Sequence, residues 1–313
     1  MILVAGLTPA WQQLLRFDAL AIGEVNRARE VHWCASGKVL NAARCLHHLG
    51  GPVKALTVVG GATGAQVRQD AARLGIDARW VEGTAPTRVC TTILDAARRS
   101  VTELVPEAGP IGESERAAFT AAYAEEAAAA AVVVLIGSVP AGTPAGFYRD
   151  LLARTPGKAV LDARGPELLE GLHEKPFLIK PNRGELARTL GRDRLDDAQL
   201  IDAMREMNRR GAAWVVVTDG GGPVHVSSRD RLYRLRPPSG DVVNPIGCGD
   251  CLAAGIAWGL HRGMEASEAV RWGMAAAADK LGRLLPGAVD AGRAEALAGS
   301  VGVACLSAPH RAG

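Results

Sequence analysis

The sequence predicts an α/β protein, a three-layer sandwich with a mostly parallel central sheet and a small β-sheet lid. Three observations carry that prediction. From about residue 50 onward, short β-branched runs alternate with amphipathic segments, the pattern of strands joined by crossover helices. The runs are apolar throughout rather than alternating, so both faces of their sheet are covered. Two regions, Leu14–Trp33 and Thr87–Leu104, instead mix polarities around polar turns, as hairpins with one wet face do.

Met1 to Gly6 reads as the first strand. Ser36–Leu49 places Val39, Leu40, Ala42, Ala43, Leu46 and Leu49 on one face and is closed by Gly50, so it reads as a helix with a glycine stop. Buried strands follow at Val53–Val59, Val132–Ile136, Ala159–Leu161, Phe177–Ile179 and Trp214–Thr218. Helices are expected at Ala65–Leu74, Glu113–Ala130, Gly146–Ala153, Gly184–Leu190 and Ala198–Arg210. The hairpins turn near Ile22-Gly23-Glu24 and Ala96-Ala97-Arg98-Arg99, and they could pair as one sheet or stand as separate surface hairpins. Paired, they divide the chain into a lid of residues 11–33 and 87–105 and a discontinuous body of residues 1–10, 34–86 and 106–313. The tail from Leu306 to Gly313 is expected to fray.

Composition excludes several classes. A hydrophobic share of 48% with 22% charged residues is that of a globular protein. The 36 Lys+Arg against 33 Asp+Glu leave only +3, and no basic run interleaves with aromatics, so nucleic acid is not the expected partner. No apolar stretch reaches transmembrane length, and no basic leader precedes the first strand; with unpaired-looking cysteines, the expected compartment is the cytoplasm. Cys248 and Cys251 have C-x-x-C spacing, but a zinc site needs a second ligand pair, so they read as small packing residues. His32, His47 and His48 show no metal spacing either. No Gly-x-Gly-x-x-Gly follows the first strand, which argues against a dinucleotide-binding fold.

The richest segment is Val243-Asn244-Pro245-Ile246-Gly247-Cys248-Gly249-Asp250, which opens a helix of small apolar residues. Glycines at a helix start present N–H groups to an anion, and the helix dipole favours negative charge there. Asp250 would repel phosphate, but it suits a site where a proton leaves a hydroxyl attacking that phosphate. Lys180-Pro181-Asn182-Arg183-Gly184-Glu185 ends another strand. Asn182 and Glu185 have capping-box spacing and equally suit phosphates with Mg²⁺ held through waters. Thr218 runs into Asp219-Gly220-Gly221-Gly222, glycines that allow either close approach to a ligand or a hairpin. Gly37-Lys38 at a helix start, with Asn41 one turn on, could hold a second anion or be an ordinary cap with a solvated lysine. Arg88 would need an anionic partner if it points inward from the lid and none if it points outward.

Taken together, these residues resemble the ribokinase-like (PfkB) carbohydrate kinases, in particular the 1-phosphofructokinase and tagatose-6-phosphate kinase branch. The resemblance extends over most of the chain. It rests on Leu7-Thr8-Pro9-Ala10, Ile22 to Arg27, Ser36 to Arg44, Pro86-Thr87-Arg88, Thr102-Glu103-Leu104, Gly109-Pro110, Gly137 to Gly142, Lys180-Pro181-Asn182 with Glu185, and Asn244 to Asp250. It implies Asp250 as the base, with the N–H groups of Gly247, Cys248 and Gly249 on the migrating phosphoryl. It implies Lys180, Asn182, Thr218, Gly220 and Gly222 around the nucleotide, with Asn182 and Glu185 organising Mg²⁺. Gln12, Gly37, Lys38, Asn41, Arg88 and Ser138 would hold the acceptor. ATP and Mg²⁺ are the implied cofactors, a sugar phosphate is the implied partner, and a homodimer through the lid sheet is expected.

The acceptor side departs from the family pattern. Thr8 stands where the family has Asn, Gln12 where it has Asp, and Ser36 and Val39 where it has Gly. An amide at Gln12 can donate as well as accept, and Val39 adds bulk beside the sugar. The expectation is phosphoryl transfer from ATP to fructose 1-phosphate, giving the 1,6-bisphosphate. The alternatives are a kinase of another small alcohol, such as an unphosphorylated sugar or nucleoside, or a non-catalytic sensor on the same scaffold.

Overall fold

The computed structural model describes residues 1–307. Residues 308–313 of the expected tail lie outside that description. Leu306 and Ser307, assigned to the same tail, instead end a strand, because Gly302–Ser307 pairs antiparallel beside Leu232–Arg236.

The chain begins with β1 (Ile2–Ala5), β2 (Ala10–Phe17), β3 (Glu30–Ser36), α1 (Lys38–His48), β4 (Val53–Val59), α2 (Gly61–Arg73) and β5 (Ala78–Glu82). It continues through β6 (Val89–Asp95), β7 (Ser100–Leu104), α3 (Glu113–Ala128), β8 (Val132–Ile136), α4 (Phe147–Leu152), β9 (Lys158–Asp162) and α5 (Gly165–Gly171). Then come β10 (Leu178–Ile179), α6 (Arg183–Thr189), α7 (Asp197–Arg210), β11 (Trp214–Val217), β12 (Val224–Ser227) and β13 (Leu232–Arg236). α8 (Cys248–His261), α9 (Ala266–Leu281), α10 (Ala291–Ala298) and β14 (Gly302–Ser307) complete it.

Ten strands form the main sheet in the order β14-β13-β12-β11-β10-β9-β8-β1-β4-β5. From β11 to β5 every neighbour is parallel, whereas β11 to β14 run antiparallel. One core packs α1, α2, α8, α9 and α10 on one face, and a second packs α3 to α7 on the other. Strands covered on both sides must be apolar at every position, as β1 and β8 are; each Val, Leu or Ile so buried contributes about 1.5–3 kcal/mol relative to exposure. The three-layer expectation is met.

The two mixed-polarity segments do join. They make a four-stranded sheet in the order β3-β2-β6-β7, with β2 and β6 parallel at its centre. Both strands of the first hairpin are longer than its sequence pattern implied, reaching back to Ala10 and on to Ser36. The added ends pair Ala10 with Ser36, and Trp11 and Gln12 also pair with Val89 and Cys90 of β6, so the ladder rather than polarity sets the boundary.

Candidate active site

The parallel strands end side by side, and the candidate residues follow them in sheet order. Thr8 lies beyond β1, Ser138 beyond β8, Asp162 closes β9, Lys180 and Asn182 follow β10, and Thr218 follows β11. Ligands of α/β sheets bind at this carboxyl edge.

Asp250 sits in the first turn of α8, is 6% exposed, and accepts a hydrogen bond from Asn41 Nδ2 at 2.8 Å. Asn41 Oδ1 in turn accepts from Ser36 Oγ at 2.9 Å, which fixes the amide so that its NH₂ faces the carboxylate. Burial pushes the Asp250 carboxyl above the ordinary carboxylate range, while Lys38 and the Asn41 hydrogen bond pull the other way. Gly247 caps α8 with φ +88, a left-handed conformation that leaves the helix start open, and a Cβ there would meet Pro286 at 3.2 Å.

Asp162 links the two lysines. Its Oδ1 accepts from Lys38 Nζ at 3.1 Å, and its Oδ2 lies 2.9 Å from Lys180 Nζ. Burial opposes its ionisation, yet the two ammonium groups outweigh burial and hold it below the ordinary range. Lys38 is the converse: desolvation works against its charge, but Asp162, Asp250 and Glu185 raise it above the ordinary lysine range. Lys180 Nζ also lies 3.7 Å from where a Cβ on Gly249 would stand, so a cation borders the open end of α8. Asp162 was not singled out in the sequence. It closes a short apolar strand with no motif around it, and only the position of β9 between β8 and β10 could have flagged it.

Asn182 and Glu185 form a reciprocal capping box. Asn182 Oδ1 accepts from the Glu185 N–H at 2.8 Å, and Glu185 Oε2 accepts from the Asn182 N–H at 2.9 Å. Thr218 bridges to Asn182, and its carbonyl accepts from the Arg183 N–H at 2.8 Å. Beyond it, Gly220 (φ +55) has open space around it, and the Gly222 N–H closes a turn onto Asp219 O at 2.8 Å.

On the acceptor side, Thr8 Oγ1 donates to Ser138 O at 3.2 Å, and Arg88 reaches Thr8 O and Pro106 O. Gly37 opens α1 at φ +87 against Pro9 and Thr8. Gln12 is buried, and its amide donates to Thr92 Oγ1 at 2.9 Å, within the small sheet. Glu103, on β7 of that sheet, is exposed at its surface; partial desolvation and the Asp250 charge raise its carboxyl, and Arg88 lowers it. The cysteines of the C-x-x-C pair are free, and burial pushes the Cys248 thiol up to about 12 and Cys251 well above its usual value. No cluster of three metal-ligating side chains occurs among the described residues.

The pfkB family carbohydrate kinase model matches residues 5–287. The chain belongs to the PfkB family of carbohydrate kinases. Solved structures share the fold at low identity. A protein from Thermotoga maritima described as a possible 1-phosphofructokinase superposes with a TM-score of 0.88 at 21% identity, covering 98% of this chain and 99% of its own. Phosphofructokinase-2 from Escherichia coli in complex with fructose-6-phosphate gives 0.85 at 22% identity, covering 96% and 98%. Its tetrameric inhibited form gives 0.86 at 22%, with the same coverage. This PfkB chain is therefore an ATP-dependent sugar kinase. No helix among the described residues is long and apolar enough to cross a membrane.

Proposed function

We propose that this PfkB kinase transfers the γ-phosphoryl of ATP to a hydroxyl of a ketohexose monophosphate, with fructose 1-phosphate as the first choice. One observation carries the reading: a buried carboxylate, Asp250, oriented by Asn41 inside the first turn of a helix whose open end is bordered by the Lys180 ammonium. Asp250 takes the proton of the attacking hydroxyl, and a raised pKa brings it closer to working pH. The N–H groups of Gly247, Cys248 and Gly249, with Lys180, neutralise charge on the phosphoryl in flight. Lys38 and Arg88 hold the acceptor and its phosphate, with Gln12, Gly37, Asn41 and Ser138 around the sugar. Lys180, Asn182, Thr218, Gly220 and Gly222 line the nucleotide side.

Mg²⁺ fits the donor set at Asn182 and Glu185. Both offer oxygen at the end of β10, and a hard cation that keeps several waters needs few protein ligands. When bound, Mg²⁺ supplies charge neutralisation for the nucleotide phosphates.

A panel of sugar phosphates and free sugars, assayed for ATP consumption, tests the reading. Turnover greatest with fructose 1-phosphate is the expected result, and preference for an unphosphorylated acceptor would overturn it. The buried Gln12 amide, turned to Thr92 rather than held as a carboxylate, favours that second reading.

We further propose a homodimer through the small sheet. The register aligns Trp33, Gln13, Thr91 and Leu104 in one row, in which Trp33 and Leu104 are exposed, and exposed Val31 lies on the same face of β3. Sedimentation of native and Trp33→Asp chains should give a dimer and a monomer; a native monomer would exclude it.

A further inference from the structure

Lys280 is one of the largest fully buried side chains, at 0% exposure, and among the described residues no carboxylate forms an ion pair with it. Its ammonium donates to two backbone carbonyls, Asn244 O at 2.8 Å and Arg283 O at 3.1 Å. Removing a cation from water without an anionic partner is expensive, and a methionine of the same length would avoid that cost. The two carbonyls belong to the two segments that build the open end of α8. Asn244 is the start of the turn: its Oδ1 accepts from the Ile246 N–H at 3.0 Å, and its Nδ2 donates to Leu284 O at 2.7 Å. The second segment continues to Pro286 and Gly287, which abut Gly247 and the Asn41 backbone; a Cβ on Gly287 would clash with Asn41 O.

We infer that Lys280 is a resident cation of the phosphoryl site, a positioning residue that ties the 244–247 and 283–287 segments together and lends its charge to an anion at the start of α8. The buried charge acquires its counter-charge when phosphate is present. Burial lowers the Lys280 ammonium, the nearby Cys248, Cys251 and Asp250 raise it, and Lys280 in turn lowers the Cys248 thiol, which agrees with a place beside the start of α8. The inference rests on the anion-hole assignment made for the kinase.

The test compares native enzyme with Lys280→Met and Lys280→Ala. The Met chain fills the same space without charge. It should keep its near-ultraviolet circular dichroism and melting temperature while kcat falls at least 30-fold and the acceptor KM stays within threefold. In Lys280→Ala, added methylammonium should recover at least a tenth of the lost kcat, whereas tetramethylammonium at equal ionic strength should recover none. A Lys280→Met enzyme with kcat within threefold of native, or rescue by both cations alike, would overturn the inference. Calorimetric titration with inorganic phosphate, in an Arg88→Ala background that removes the acceptor-phosphate contact, supplies a readout independent of turnover. Weaker binding by at least fivefold in the Lys280→Met chain is expected, and equal affinities or no binding by either chain would count against a cation acting on that anion. If the native chain phosphorylates no acceptor, the kinase reading fails by itself, and the phosphate titration still decides the role of Lys280.

Discussion

Asn41 and Asp250 meet at 2.8 Å although 209 positions separate them in the chain. The amide comes from the end of the first turn of α1 and the carboxylate from the first turn of α8, so the contact exists only when the body is closed around β1. It makes the proposed base a property of the whole fold.

Replacing Asp250 by Asn should lower kcat by about 10²–10⁴-fold with little change in ATP affinity. Rapid-quench turnover and nucleotide titration check this, and residual activity within tenfold of native would remove Asp250 as the base. The same substitution carries a stability signature. The folded carboxyl holds its proton more tightly than the unfolded one, so its ionisation opposes folding as pH rises from the ordinary carboxylate value through its raised one. Asp250→Asn should therefore melt no lower than native at pH 8, and any advantage should vanish below that window.

Asn41→Ala removes the hydrogen bond that favours the Asp250 anion. The acid limb of the kcat profile should move to higher pH, making the loss of rate larger at pH 6 than at pH 8.5. A uniform loss at all pH would show that Asn41 serves the acceptor alone.

Lys38→Ala and Arg88→Ala should each raise KM for the phosphorylated acceptor at least tenfold more than KM for ATP. Steady-state kinetics with both substrates varied makes the comparison. Equal changes would dissolve the acceptor-phosphate pocket.

Asp162→Asn leaves the Lys180 ammonium, 5% exposed, without its carboxylate. Loss of one member of a buried pair destabilises by about 3–5 kcal/mol, readable as a shift in the denaturant midpoint. The Asp162 contribution is complete above the ordinary carboxylate pKa and is lost as pH falls through its depressed folded value, so native and variant stabilities should converge only in acid, below about pH 4.

What could be read in advance follows the range of the interactions. The capping box at Asn182 and Glu185 and the glycine-led helix start at Gly247 are local, and spacing alone identified both; the left-handed φ of Gly247 is seen only in the structure. The doubly covered strands announced themselves because burial on both faces leaves no polar positions. The edge strands β5 and β14, their neighbour β13 and the helices α9 and α10 went unannounced, since their patterns of half-buried or small residues satisfy no strong period. Asp162 and Lys280 were illegible for a different reason. Each is a charged residue at the C-terminal end of its element, and its meaning lies in partners brought in from other segments.

Lys38, Asp162 and Lys180 form one continuous charge bridge. In the resting protein both ammonium groups already hold an internal anion. A phosphate arriving between them enters by exchange with that carboxylate rather than by capture in an empty field. Its net affinity is thus a difference between two favourable attachments, and the carboxylate stands ready to take the lysines back when the phosphorylated product leaves. A site wired this way is suited to turnover, releasing a phosphorylated product that an unoccupied pair of lysines would retain.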